Sequence, residues 1–142
     1  MAQYKWIEPA PGLAKVKRPG SQMGQDVWVL ETLNKKRNGT FVDIGSAHPV
    51  TINNTWILEK EYDWTGISID LGLPTTATWN TWENPEDYKI YWNAIRSTPV
   101  ITGDALEMDY LKLFKENNLP KVIDYLTIDI DPVQASLECL YK

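Results

Sequence analysis

Cysteine is almost missing from this sequence: Cys139 is the only one in 142 residues. That excludes an internal disulfide and a cysteine-based zinc cluster. Long apolar runs are missing too, and none approaches the ~20 residues of a membrane-spanning helix. Cations are in deficit, with 14 Lys and Arg against 19 Asp and Glu and a net charge of −5. This argues against a nucleic-acid groove, because phosphate binding needs clustered Lys and Arg. Phenylalanine is scarce, with two residues against seven Trp and seven Tyr. The chain thus favours rings with a polar atom, which suit half-buried edges and pockets. Histidine occurs once, as His48.

What remains is an ordinary globular composition, 43% apolar and 23% charged. One domain fits the length, with roughly two thirds of the unfolded surface buried on folding. Residues 1–20 carry Pro9, Pro11 and Pro19 beside Lys15, Lys17 and Arg18, with no apolar period. They read as a surface arm, either a solvated basic patch or a segment that reaches a partner or covers a pocket. They contain no signal-peptide core, so the expected location is cytoplasmic.

Residues 21–142 alternate helix and strand. Val27, Trp28, Leu30 and Leu33 have helical spacing between Gly24 and about Arg37, and Asn38-Gly39 supplies a left-handed stop. Thr40 to Ile44 reads as a strand, followed by a loop to Ile52 and a helix capped by Asn53 or Asn54 and running to about Tyr62. A second strand covers Ile67 to Asp70. Asn84-Pro85-Glu86-Asp87 reads as an N-cap, a proline at the first helical position and a first turn rich in acid, opening a helix to about Arg96. A strand over Pro99 to Thr102, a helix over about 107–117, a strand from Val122 to Ile130 and a helix from Pro132 to Lys142 complete the chain. Such alternation predicts an α/β fold, a parallel sheet with helices on both faces.

Ligands of such sheets bind beyond the carboxyl ends of the strands. The predicted strands end near Asp43, Asp70, Thr102 and Asp129, with Asp104 and Asp131 just beyond. Asp43 reads as a capping acid or a ligand contact, and Gly45 lets backbone approach a ligand closely. Ser46 to Pro49 lacks the further glycines of a dinucleotide fingerprint, which disfavours a nicotinamide or flavin cofactor. Asp70 can accept hydrogen bonds from two vicinal ribose hydroxyls, or simply start a loop. Asp104 can meet an adenine amino group, with Ala105 as a small neighbour. Asp129 and Asp131 share a face if their strand extends that far. Close carboxylates can split their pKa values and yield a general base, or hold a divalent cation. His48 is either a solvent-facing loop residue or a proton carrier. Trp79, Trp82, Tyr88 and Trp92 either pack a helix on the sheet or wall an adenine or sugar site.

Five separated strings resemble the FkbM-type methyltransferases, in the right order across about residues 21–140. They are Ser21 to Asp26, Gly39 to Gly45, Asn53-Asn54-Thr55 with Leu58-Glu59, Trp64 to Asp70 and Ile123 to Asp131. The resemblance implies a Rossmann-like sheet of about four strands in the order 3-2-1-4, and S-adenosylmethionine as cofactor. It also implies transfer of a methyl group to a hydroxyl acceptor such as a sugar. Asp43, Gly45 and Ser46 would border the methionine part, Asp70 the ribose, and Asp104 with Ala105 the adenine. Gln22, Gln25 and Asp26 would lie over the cofactor or acceptor, and Asn54 and Glu59 would support the first loop. Asp131, Asp129 or His48 would serve as base. The family often has Asp-x-Glu-Gly-x-Glu where this chain has Asp129-Ile130-Asp131-Pro132-Val133-Gln134, and its complete domain adds about three strands beyond the fourth. The expectation is therefore the cofactor half of the fold. The second reading is a non-catalytic relative that self-associates through an apolar fourth-strand edge of Val122, Ile123, Leu126 and Ile128.

Overall fold

The computed structural model describes residues 20–74 and 82–142. The arm over residues 1–19 and the ring of Trp79 lie outside the described residues. The element order is α1 (Gln25–Thr32), β1 (Thr40–Ile44), α2 (Trp56–Tyr62), β2 (Thr65–Asp70), α3 (Pro85–Ile95), β3 (Val100–Thr102), α4 (Tyr110–Glu116), β4 (Tyr125–Ile128) and α5 (Val133–Leu140). The four strands form one parallel sheet in the order β3-β2-β1-β4. The expected α/β class and strand order are both present. No helix among the described residues is long and apolar enough to cross a membrane.

Both sheet faces are covered, as a parallel sheet requires. Alternation along β1 sends Phe41 to one face, where it packs with Val29, Leu30, Leu58, Tyr62 and Trp64 from the α1–α2 side. Val42 and Ile44 go to the other face, against Ile67, Ile69, Ala105 and Cys139. Buried Trp82, Tyr88, Trp92 and Val100 make a third cluster under α3. Trp82, Tyr88 and Trp92 are thus packing residues, which favours the plainer reading of that group.

Several boundaries differ from the sequence reading. The first helix stops at Thr32, because Asn34 and Lys35 turn left-handed and their amides bond back to Glu31 and Leu30. Its buried apolar residues are Val29 and Leu30, while Trp28 is 62% exposed. The second helix starts after Thr55, not at Asn53 or Asn54, yet Asn53 Oδ1 still accepts the amides of Thr55 and Trp56. The fourth helix begins at Tyr110 because Asp109 caps it, accepting the Lys112 amide. The fourth strand is only Tyr125–Ile128. Before it, the Asp124 carboxylate takes the Thr40 amide and the Lys36 ammonium (2.9 and 2.6 Å) while its own amide donates to the Thr40 carbonyl (3.0 Å), fastening the chain to the start of β1. The predicted cap at Asn84 is present, its side chain accepting from Asp87 with Pro85 as first helical residue.

Candidate functional site

The site is built by the turns that leave the four strands. After β1 the chain must pass close to the end of β4, and Gly45 makes that possible. Its φ is +82°, and a Cβ there would lie 2.1 Å from the Asp129 carbonyl oxygen. Glycine alone tolerates both the left-handed conformation and the contact. The Asp129 amide in turn bonds the Ile44 carbonyl (2.9 Å), so the ends of β1 and β4 are locked together.

A cleft of about 460 Å³ opens over these ends. Gly45, Asp70, Asp104, Ala105, Asp129 and Asp131, all singled out from sequence, line it. Asp70 is held at both oxygens, by the Ala47 amide (2.9 Å) and the Gly72 amide (2.9 Å). Each carboxylate oxygen keeps a further lone pair for a donor in the cleft. Asp104 accepts the Leu106 amide (2.9 Å) through Oδ1, in a turn that presents the rest of the carboxylate. The Ala105 carbonyl is taken by the Tyr110 hydroxyl (2.6 Å). Asp129 and Asp131 follow β4 rather than belonging to it, and both are exposed on the cleft wall. Ser136 Oγ, on α5, accepts the Ile130 amide and donates to the Ile130 carbonyl, fixing the backbone between the two acids.

The other sequence candidates lie outside the cleft lining. Asp43 is buried and accepts from Thr55 Oγ1 (3.1 Å). Burial pushes its pKa up from 3.8 to about 7, opposed by the Arg96 charge. Ser46 is buried and pairs with the Tyr88 hydroxyl (3.3 Å). Asp26 closes on Ser21, accepting its amide and hydroxyl (3.1 and 2.5 Å). Gln25 accepts the Met23 amide, and Gln22 is exposed. His48 is 7% exposed, and neither ring nitrogen is free to take a substrate proton. Nδ1 accepts the Val50 and Thr51 amides (3.1 and 2.9 Å), so the ring proton sits on Nε2 facing Tyr91 Oη (3.2 Å).

No family model, curated protein or solved structure matches the chain. The reading of this site therefore rests on the geometry and on the resemblance of its sequence strings.

One group escaped the sequence reading. Arg96, expected only as a helix end, has a side chain with 0% exposure. Its Nε donates to Glu59, Nη1 to the Pro49 carbonyl (2.9 Å) and Asn53 Oδ1 (3.2 Å), and Nη2 to Thr55 Oγ1 (3.1 Å). Glu59 also takes the Thr98 amide (2.7 Å) and the Ser97 hydroxyl (3.1 Å). Asn53 Nδ2 donates to the Ser46 and His48 carbonyls, and Tyr88 to the Ala47 carbonyl (2.6 Å). The first loop is thus held from below by α2 and α3. Asn54 reaches across to Thr127 on β4 (3.2 Å). The sequence strings pointed to Glu59 as a support of the first loop, but nothing local marked Arg96 as its partner.

Proposed function

We propose that this chain binds S-adenosylmethionine and serves O-methyl transfer to a hydroxyl, with a sugar as one acceptor class. The observation that carries this reading is the cleft beyond the strand ends, whose side-chain charges are all carboxylates: Asp70, Asp104, Asp129 and Asp131. None of the described residues lining it is Lys, Arg or His. Such a field favours a cationic ligand bearing a sulfonium and an ammonium, and opposes a pyrophosphate cofactor. The volume lies within the roughly 300–1,000 Å³ of small-molecule sites.

On this reading Asp70 holds the ribose hydroxyls while its two backbone amides fix its orientation. Asp104 and Ala105 flank the adenine, and Gly45 allows the backbone to approach the methionine part. When bound, the cofactor supplies an electrophilic methyl group on sulfur. The protein's part is to align a hydroxyl with it and to accept the hydroxyl proton. Asp129 and Asp131 are the candidates for that proton, since His48 has no lone pair to offer.

Calorimetry with S-adenosylhomocysteine tests the proposal. Saturable heat is expected, and its absence up to millimolar ligand with folded protein overturns the cofactor assignment.

A second reading is favoured by one observation, the open side of β4. Among the described residues it pairs with β1 alone, and Leu126, on the face of Val42, is 49% exposed. The chain is then a binding or self-association module that uses this edge. A strictly monomeric species in light scattering counts against it.

A further inference from the structure

His48 stands at the centre of the turn that follows β1. The chain reverses there with Ala47 and Ile52 in left-handed conformation (φ +51° and +54°). That reversal aims two consecutive amides, Val50 and Thr51, at a single imidazole nitrogen. An amide N–H can only donate, so Nδ1 must carry its lone pair for both bonds to exist. A proton on Nδ1 would set an N–H against two N–H groups and break both bonds in a half-buried turn. The Ala47 amide that orients Asp70 belongs to the same turn, one residue before the imidazole.

We propose that His48 is a positioning residue whose neutral imidazole fastens the first strand-to-helix loop. Protonation of Nδ1 unfastens that loop and withdraws the Ala47 amide from Asp70, so the cleft is set by pH. The groups facing this region do not supply a compensating partner at Nδ1. Tyr91 of α3 occupies Nε2, and the Tyr88 hydroxyl is committed to the Ala47 carbonyl. Arg96 is committed to Pro49 and Glu59, and Asp70 to backbone amides. Burial already holds the His48 pKa below its usual 6.5. The hold is therefore complete above about pH 6.5 and declines as pH falls below it.

His48 is the only histidine, so its ring signals in a nitrogen-15 NMR titration need no assignment strategy. Between about pH 8 and pH 5 the ring is expected to titrate with a midpoint below 6.5. The Val50 and Thr51 amides should shift with the same midpoint, and their hydrogen exchange should accelerate at least about tenfold beyond its intrinsic pH dependence. His48→Asn, which keeps an acceptor near Nδ1 that does not titrate, should retain amide protection and lose the pH response. His48→Phe should lose protection of these two amides at every pH. The proposal is overturned if the ring titrates while both amides keep their shifts and exchange rates. It is equally overturned if every amide is lost together, or if His48→Asn responds to pH as the parent does.

The ligand arm rests on the cofactor reading. There, S-adenosylhomocysteine affinity should fall about tenfold per pH unit below the midpoint, and stay level in His48→Asn. If the amides respond but no ligand binds at about pH 8, the fastening role stands and the cofactor reading fails.

Discussion

Replacing Arg96 by Met is the most direct test of how the first loop is held. Arg96 and Glu59 have side-chain exposures of 0% and 3%, so water cannot replace either partner. Arg96→Met leaves Glu59 with the Thr98 amide and the Ser97 hydroxyl, both neutral donors. It also strips Pro49, Asn53 and Thr55 of a shared donor. Breaking a buried pair by removing one partner costs about 3–5 kcal/mol, mostly from the charge left behind. At roughly 3–5 °C per kcal/mol for this size, Tm should fall by roughly 10–20 °C. Against a total stability of about 5–15 kcal/mol the variant should still fold, but marginally. Urea denaturation followed by tryptophan fluorescence is a suitable assay, because Trp92 stacks under the guanidinium at 4.7 Å. If the cost arises from an orphaned carboxylate, adding Glu59→Gln to Arg96→Met should recover about 2 kcal/mol of it. A single-variant cost below about 1 kcal/mol, or a double variant whose loss equals the sum of the singles, would refute the reasoning.

Asp70→Asn should lower S-adenosylhomocysteine affinity about 10–100-fold in calorimetry, because the amide retains one acceptor oxygen and sets an NH2 against a backbone N–H. Gly45→Ala should cost more than about 2 kcal/mol in chemical denaturation, the left-handed φ alone accounting for about 1–2. A loss under about 1 kcal/mol would mean that β1 and β4 do not approach as closely as 2.1 Å implies. Asp43→Asn should stabilise the protein above about pH 7, by at most ~4 kcal/mol. It should also remove the fall of the urea midpoint as pH rises from about 3.8 to about 7. The sign follows from a folded pKa of about 7 against 3.8 unfolded: the native state binds more protons between these values, so stability declines as pH rises through them.

The fold was legible because its signals are local. The Thr40–Ile44 strand and the Asn84-Pro85 cap lie where period and turn chemistry put them, and the order of strand and helix dictates a parallel sheet. Helix ends shifted through local bonds, such as the Asp109 cap of α4, and the larger departures involve distant partners. The fourth strand starts only at Tyr125, and just before it the Asp124 side chain is captured by Lys36 and Thr40, whose separation in sequence no window of residues can see. Asp70, Asp104, Asp129 and Asp131 were found because strand ends share one edge by topology alone. Arg96 was not, since its partners at 49, 53, 55 and 59 meet it only through tertiary packing. His48 was legible as a titrating group and illegible as a fastener. Its role depends on two left-handed backbone positions that composition does not disclose.

Two titrations meet at this loop with opposite signs. Asp43 reaches the loop through Thr55 and Arg96, and Arg96 holds Pro49, the residue after His48. The Asp43 carboxyl is most comfortable protonated, a benefit lost as pH rises towards about 7. His48 holds its amides only when neutral, a benefit lost as pH falls below 6.5. Each group alone would tilt stability monotonically, and where their ranges overlap below 6.5 the two slopes oppose and largely cancel, so the parent profile is flatter there than that of either single variant. Removing one should expose the slope of the other. Asp43→Asn should leave a profile that declines only as pH falls below 6.5, and His48→Asn one that declines as pH rises from about 3.8 to about 7 and is level beyond. A parent profile that keeps its shape in both variants would show that neither group reports on the loop.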